Sequence, residues 1–241
     1  MSKNAMTTLA GFDCILLGAV GMPNLVPEHV SLWGMLIPIH REFDQYINLR
    51  PPRSLPGLPS PLSSGKQFDF LVVRENSEGE YSNVGGRFGT GENEMAMQTA
   101  IFMRRGVERA MDFAFRLAKT RGSLRGGLGG GKVTSATKSN GIVFSMPFWD
   151  DVFRDVASRF PDVTTTSKHI DALAASFVTH PHELDVVVAS NLFGDILTDL
   201  GSALMGSIGI GPSDVGGTAR TDEVAQAILA NFRRRAEAAL R

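Results

Sequence analysis

The sequence predicts an α/β protein whose mixed sheet is flanked by helices. Three observations carry this reading. Three short apolar runs, Phe12 to Leu17, Phe68 to Val73 and Leu184 to Ala189, have the near-continuous hydrophobicity of strands buried on both faces. Between them, apolar residues recur at three- and four-residue spacing, the period of a helix. The composition, 43% hydrophobic and 20% charged over 241 residues, is that of an ordinary globular chain.

Taken in order, Phe12 to Leu17 runs into Gly18-Ala19-Val20-Gly21 and reads as a parallel strand ending in a tight loop. Ser31 is placed to cap a helix carrying Leu32, Leu36, Phe43 and Ile47, with a kink at Pro38, whose ring removes a donor. Tyr46 to Arg50 reads as extended. Five prolines, at 51, 52, 56, 59 and 61, exclude regular helix and suit a domain crossing. After Phe68 to Val73, the polar Arg74-Glu75-Asn76 falls at the carboxyl end of a strand, where open α/β sheets place ligands. Met95, Met97, Thr99, Ile101 and Met103 alternate as in a strand. From Gly106, Val107, Ala110, Met111, Ala114, Leu117 and Ala118 take helical spacing. A Gly-rich loop then leads to a strand over Val133 to Thr137. Phe148, Val152, Phe153, Val156 and Phe160 mark one helix, and Ile170, Leu173, Ala174 and Phe177 another. The strand Leu184 to Ala189 feeds a helix to about Met205. A last helix is expected from Asp222, acidic at its start and with Arg233, Arg234 and Arg235 near its end, in agreement with the helix dipole.

Charge and hydropathy exclude several partners. With 24 Lys plus Arg against 25 Asp plus Glu, the chain has no broad basic character to attract nucleic acid. No apolar run approaches the roughly 20 residues that span a bilayer. The lone Cys14 cannot form an internal disulfide, and the first residues lack the apolar core of a secretory signal. The chain is read as cytoplasmic, with neither nucleic acid nor membrane as partner.

Several residues are placed to carry chemistry. Asp195 and Asp199, four apart, project from one face of a helix just beyond a strand end, and two hard oxygen ligands so placed suit Mg²⁺ or Mn²⁺. The alternative is a pair of solvated surface aspartates. Arg50 and Arg74 offer planar forks for a substrate carboxylate, or are surface arginines. Tyr81 is a general acid if a nearby cation lowers its pKa, and otherwise a packing tyrosine. Lys138, beyond a strand, is either a catalytic amine or a surface lysine. Two patterns carry no site. Gly126 to Lys132 nearly spells a phosphate loop, but Val133 stands where Ser or Thr is required. His180 and His182 flank Pro181, which prevents a helical ligand pair.

Six segments, in order over most of the chain, carry a family resemblance: LLGAVGMP (16–23), SLWGMLIPIHREFDQYINLRP (31–51), FLVVRENSEGEYSNVGGRF (70–88), TSATKSNGI (134–142), HIDALAASFV (169–178) and DVVVASNLFGDILTDLGSALMGSIGIGPS (185–213). Together they resemble the β-decarboxylating dehydrogenases, the isocitrate/isopropylmalate dehydrogenase family. The wording RENSEGEYS, TSATKSNG and VVASNLFGDILTDL is most similar to its tartrate/D-malate branch.

The resemblance implies an isopropylmalate-dehydrogenase-like fold and oxidation of a 2-hydroxy diacid by NAD, with metal-assisted loss of the β-carboxylate. It implies that Arg50 and Arg74 hold substrate carboxylates and that Asp195 and Asp199, with Asp171 of a second subunit, bind Mn²⁺ or Mg²⁺ as a Lewis acid. Lys138, also from the second subunit, would deprotonate the hydroxyl, and Tyr81 would protonate the enol carbon. Asn140, Gly21 and Pro23 would meet the nicotinamide end of NAD, and K⁺ is an accessory cation. A homodimer with a shared site follows. Residues 56–205 are expected to form the substrate, metal and dimerisation domain, with 1–55 and 206–241 a truncated remnant of the cofactor-binding domain. The family's first strand has no counterpart. Ser213 runs directly into Asp214-Val215-Gly216-Gly217, without the family's adenosine-wrapping segment. A catalytically silent member that dimerises and binds metal or diacid is therefore a rival expectation, and isopropylmalate or isocitrate is an alternative substrate.

Overall fold

The computed structural model describes residues 4–12, 14–18, 24–55, 59–62, 65–124 and 131–206. Its core is a five-stranded sheet in the order β1-β2-β7-β5-β6, formed by β1 (Ile47–Arg50), β2 (Leu71–Glu75), β5 (Lys132–Thr137), β6 (Thr164–His169) and β7 (Val186–Ala189). β1 pairs antiparallel with β2, while β2, β7, β5 and β6 run parallel, which makes the sheet mixed. Every residue of β2 and of β7 is buried, so both faces of the sheet are covered, as their unbroken apolar runs require.

Helices supply that cover. α4 (Arg104–Leu124) lies over β2, β7 and β5 and packs against α5 (Ser145–Ala157). α6 (Ile170–Thr179) and α7 (Asn191–Leu204) pack against each other and against the sheet. The core between α4, α5 and the sheet includes Met111, Phe115 and Trp149, all fully buried, and the Phe115 ring lies 5.5 Å from that of Phe153. Trp149 donates its indole N–H to Ser135 Oγ at 2.9 Å, which satisfies a polar atom in an apolar interior. At the far end of the sheet, Asp185 accepts from Arg121 of α4 at 2.9 Å and from the Lys132 backbone N–H at 3.0 Å, tying α4 and β5 to the start of β7.

A separate antiparallel ribbon, β3 (Gly85–Phe88) with β4 (Met95–Gln98), stands apart from this core, all its residues exposed. Its connection turns through Gly89 at φ +78°, where a Cβ would meet the Asn93 carbonyl oxygen at 2.2 Å.

Several sequence expectations are corrected. Phe12 and residues 14–17 belong to no strand, and Phe12 and Leu16 are 65% and 67% exposed: among the described residues no strand pairs with this run and no helix covers it. The expected cap Ser31 sits inside a helix at φ −77°, ψ −49°, because α2 (Glu28–Ser31) continues through a π-helical turn, Leu32–Leu36, into α3 (Ile37–Glu42). The π turn ends just before Pro38, which therefore stands in the first turn of α3, where its missing donor is tolerated. The strand expected over Met95 to Met103 stops at Gln98, with an isolated bridge from Ile101 to Gly79 beyond it. The helix expected from Asp222 and most of the Gly-rich loop lie outside the described residues. The strand before the proline-rich stretch, β1, joins the same sheet as β2, which follows that stretch.

Candidate active site

The site grows from one edge of the sheet. In the antiparallel pair, Asn48 lies opposite Arg74, so their side chains share a face, and Arg50, two residues on from Asn48, points the same way. Arg50 is buried and donates from Nε to Asn48 Oδ1 at 2.6 Å. α7 starts directly after β7 and crosses this face at close range, because Gly194 has no side chain. A Cβ there would meet Arg74 Cγ at 2.6 Å.

That approach delivers Asn191 and Asp195 to Arg74. Arg74 donates from Nε and Nη2 to Asn191 Oδ1 at 2.9 and 2.8 Å, and its Nη1 forms an ion pair with Asp195 Oδ1. Asn191 is turned by its own Nδ2, which donates to the Glu78 carbonyl at 3.2 Å. Tyr81 reaches in from the loop after β2 and donates its hydroxyl to Asp195 Oδ2 at 2.7 Å. The Arg74 guanidinium carbon lies 5.7 Å from the centre of the Tyr81 ring. Burial, then the hydrogen bond to Asp195 and its negative charge, pushes the Tyr81 phenol up to about 12 against the lowering effect of Arg74. The condition set for an acidified phenol is therefore not met, since burial, joined by Asp195, outweighs the lowering effect of Arg74.

These groups line a cavity of about 300 Å³. Leu32, Leu36 and Ile37, from the π turn and α3, form an apolar wall facing Arg50, Arg74, Tyr81 and Asp195. His40 and Asn76 also line it, with His40 Nδ1 3.2 Å from Asn76 Nδ2. Burial first, then Arg74 and Arg50, holds His40 below its ordinary 6.5, which favours the neutral ring. Below the cavity, Glu78 is buried and accepts the Met103 backbone N–H at 2.9 Å, and burial raises its pKa. A small space lined by three arginines, Arg41, Arg50 and Arg74, against one carboxylate, Asp195, with a phenol and an apolar wall, suits a compact anion better than a large ligand.

The other sequence-selected residues lie elsewhere. Asp199 is exposed, one turn beyond Asp195 on α7. Lys138, just after β5, donates from Nζ to Asp171 Oδ2 at 2.8 Å, and this hydrogen bond holds the Asp171 carboxyl below the usual carboxylate range. Asn140 is exposed beyond the same strand, and Gly21 and Pro23 lie outside the described residues. Among the described residues, no three His, Cys, Asp or Glu side chains gather to hold a metal ion. Asp195 and Asp199 nevertheless supply hard carboxylate oxygens on one helix face, the chemistry a divalent cation needs.

Sequence reasoning passed over Asn191, Asn48 and His40. Two signals were present. Asn48 alternates with Arg50 along a strand, and His40 follows Leu32 and Leu36 at four-residue spacing.

Fold and site define an α/β protein with a small pocket lined by arginines, Tyr81 and Asp195 where a helix crosses the ends of adjoining strands. A family profile described as isocitrate/isopropylmalate dehydrogenase matches residues 1–226, and the chain belongs to that family. It is 56% identical over 213 residues to the probable tartrate dehydrogenase/decarboxylase of Bacillus subtilis (strain 168), a match covering 88% of this chain and 58% of the relative. It is 54% identical to the D-malate dehydrogenase [decarboxylating] of Escherichia coli (strain K12), over 85% of this chain and 56% of that protein. The chain thus spans somewhat more than half the length of these relatives. In fold it is similar to the crystal structure of isocitrate dehydrogenase from Methylococcus capsulatus, with a TM-score of 0.68 at 24% identity, over 91% of this chain and 61% of that one. Among the described residues, no helix is long and apolar enough to cross a membrane.

Proposed function

We propose that the chain carries the substrate pocket of an NAD- and divalent-metal-dependent dehydrogenase that oxidises and β-decarboxylates a small 2-hydroxy diacid such as D-malate or tartrate. The observation that supports this most is the convergence of Arg50, Arg74, Tyr81 and Asp195 on one small cavity, in a chain more than half identical to tartrate and D-malate dehydrogenases.

In this reading Arg50 and Arg74 hold the two carboxylates, and the cavity walls limit the carbon skeleton between them. Asp195 and Asp199 hold Mn²⁺ or Mg²⁺ with Asp171 of a second copy, and the cation, when bound, supplies Lewis-acid stabilisation of developing negative charge. Lys138 of that second copy assists deprotonation of the substrate hydroxyl. Tyr81, kept protonated by burial and Asp195, has a proton to return to the carbon left by the departing carboxylate. Asn140, with Gly21 and Pro23, meets the nicotinamide end of NAD. K⁺ is an accessory cation.

The shared site requires a homodimer. Leu173, Phe177, Leu197 and Leu204 of α6 and α7 face this chain's own core, while Val178 of α6 and Ile196 of α7 are exposed and open to a partner. Phe88, Met95 and Met97 of the β3–β4 ribbon, with Ile101 and Met103 beyond it, are exposed and need a cover that a second copy would provide. The division into a substrate domain over 56–205 and a cofactor remnant over 1–55 and 206–241, and a cytoplasmic location, belong to the same proposal.

A second reading, a silent member that binds metal or diacid without turnover, rests on the direct passage from Ser213 to Asp214-Val215-Gly216-Gly217. Formation of NADH is the test, followed with D-malate, tartrate, isopropylmalate or isocitrate in Mn²⁺ and K⁺. NADH that requires both Mn²⁺ and D-malate or tartrate supports the dehydrogenase; binding of both without NADH supports the silent member. Preference for isopropylmalate or isocitrate overturns the substrate assignment, and for isopropylmalate the apolar wall of Leu32, Leu36 and Ile37 would be the cause.

A further inference from the structure

The contacts of Arg74 contain a conflict with the work asked of it. Each of its three guanidinium nitrogens is engaged by the protein: Nε and Nη2 by Asn191, Nη1 by Asp195. Asp195 is likewise engaged at both oxygens, Oδ1 by Arg74 and Oδ2 by Tyr81. As arranged, the arginine offers its fork to a carboxylate of the protein, and the carboxylate offers its charge to an arginine.

We propose that Asp195 is a charge lock: it holds Arg74 while no divalent cation is present, and occupation of Asp195 by the cation releases Arg74 to the substrate carboxylate. The proposal rests on the functional reading above and concerns the order in which the same site is assembled. Its physical basis is charge. The Oδ1 atom keeps a lone pair, but a divalent cation bound there would sit within a few ångströms of the guanidinium, and like charges that close repel. Arg74 has 11% of its side chain exposed and Asp195 36%, so water reaches the carboxylate more than the guanidinium and screens this repulsion only in part. The ion pair must open for the cation to bind.

Asn191 decides where Arg74 goes when it opens. Its Oδ1 holds Nε and Nη2 from one side, and its Nδ2 is anchored on the Glu78 carbonyl. The guanidinium therefore keeps its stem position and presents only its Nη1 edge to the cavity, the edge that Asp195 gives up. Asn191 is thus a positioning residue, buried at 4% exposure and acting through Arg74. The consequence is that the metal-free chain binds a diacid poorly because its own carboxylate competes with it, and that cation and diacid assist each other beyond direct chelation.

The test is calorimetric, without NAD and without turnover. D-malate is titrated in chelator into the wild-type chain, Asp195→Asn and Asp199→Asn. Both variants remove one negative charge from the same helix face, but only the first unlocks Arg74. Asp195→Asn is expected to bind metal-free D-malate about tenfold more tightly than wild type, with Asp199→Asn within about twofold of it. Asp195→Asn binding no more tightly than Asp199→Asn, or no measurable binding in any of the three, overturns the lock. A second titration, Mn²⁺ alone into wild type and Arg74→Gln, guards against a misfolded first variant: loss of the competing guanidinium should tighten Mn²⁺, and an unchanged or weaker affinity also overturns it. Absence of Mn²⁺ binding in wild type, with or without D-malate, is a different failure, and it overturns the functional reading as well.

Discussion

At the scale of single residues, burial holds His40 toward its neutral form and keeps Glu78 and Tyr81 protonated to higher pH. Beside the buried Glu78, His40 is one group whose pH response reaches stability. Its folded pKa lies below the ordinary 6.5, so the unfolded chain binds the proton more readily. Stability is fully present above about pH 6.5 and is lost as pH falls below it. His40→Gln removes this dependence, and denaturant midpoints from pH 7.5 down to about 5.5 should fall less steeply for the variant than for wild type. Parallel curves would remove His40 from the account. For Tyr81 the prediction is kinetic: Tyr81→Phe keeps the ring beside Arg74 but removes the proton, and should lower kcat by about a hundredfold with KM little changed. Gly194→Ala tests the close approach of α7 to Arg74. It should cost about 1–3 kcal/mol of stability in urea unfolding and weaken diacid binding, because the new methyl displaces Arg74.

Elements show what the sequence could and could not reveal. β2, β7, α4, α5, α6 and α7 were legible because each buries an apolar face of the right period, and Arg74 and Asp195 were legible because they stand at the carboxyl end of β2 and in the first turns of the helix that follows β7. β6 escaped notice: Thr164 to His169 is an edge strand of polar residues, held by pairing with β5 rather than by burial. The opposite error occurred at Phe12 to Leu17, where an apolar run has a strand's composition but no strand among the described residues to pair with it. His40 shares the four-residue spacing of Leu32 and Leu36, but that spacing marks a common helix face and does not say that the face walls a cavity. The packing of α4 supports a direct prediction. Phe115 is fully buried, with ring centres of Phe153 and Phe160 at 5.5 and 5.2 Å, so Phe115→Ala should destabilise the chain by about 3–5 kcal/mol. A loss below about 1 kcal/mol in denaturant unfolding would mean that α4 is not docked as described.

For the whole molecule, one question is how a site spread over distant residues becomes a single centre. Within one chain, Asp195 and Asp199 stand on α7, while Lys138 and Asp171 pair with each other away from the cavity. A second copy, covering the exposed apolar ribbon, would bring the two halves together, and the protein should sediment as a dimer at low micromolar concentration. Met95→Glu combined with Met97→Glu should shift it toward monomer, and dimers of unchanged stability would place the interface elsewhere. The central claim is that the α7 carboxylates are the metal centre of the arginine-lined pocket, and its most direct test is Mn²⁺ titration with D-malate present, read by electron paramagnetic resonance. Wild type should bind Mn²⁺ saturably and the Asp195→Asn, Asp199→Asn double variant should lose most of that affinity; equal affinity in the two proteins would contradict the account.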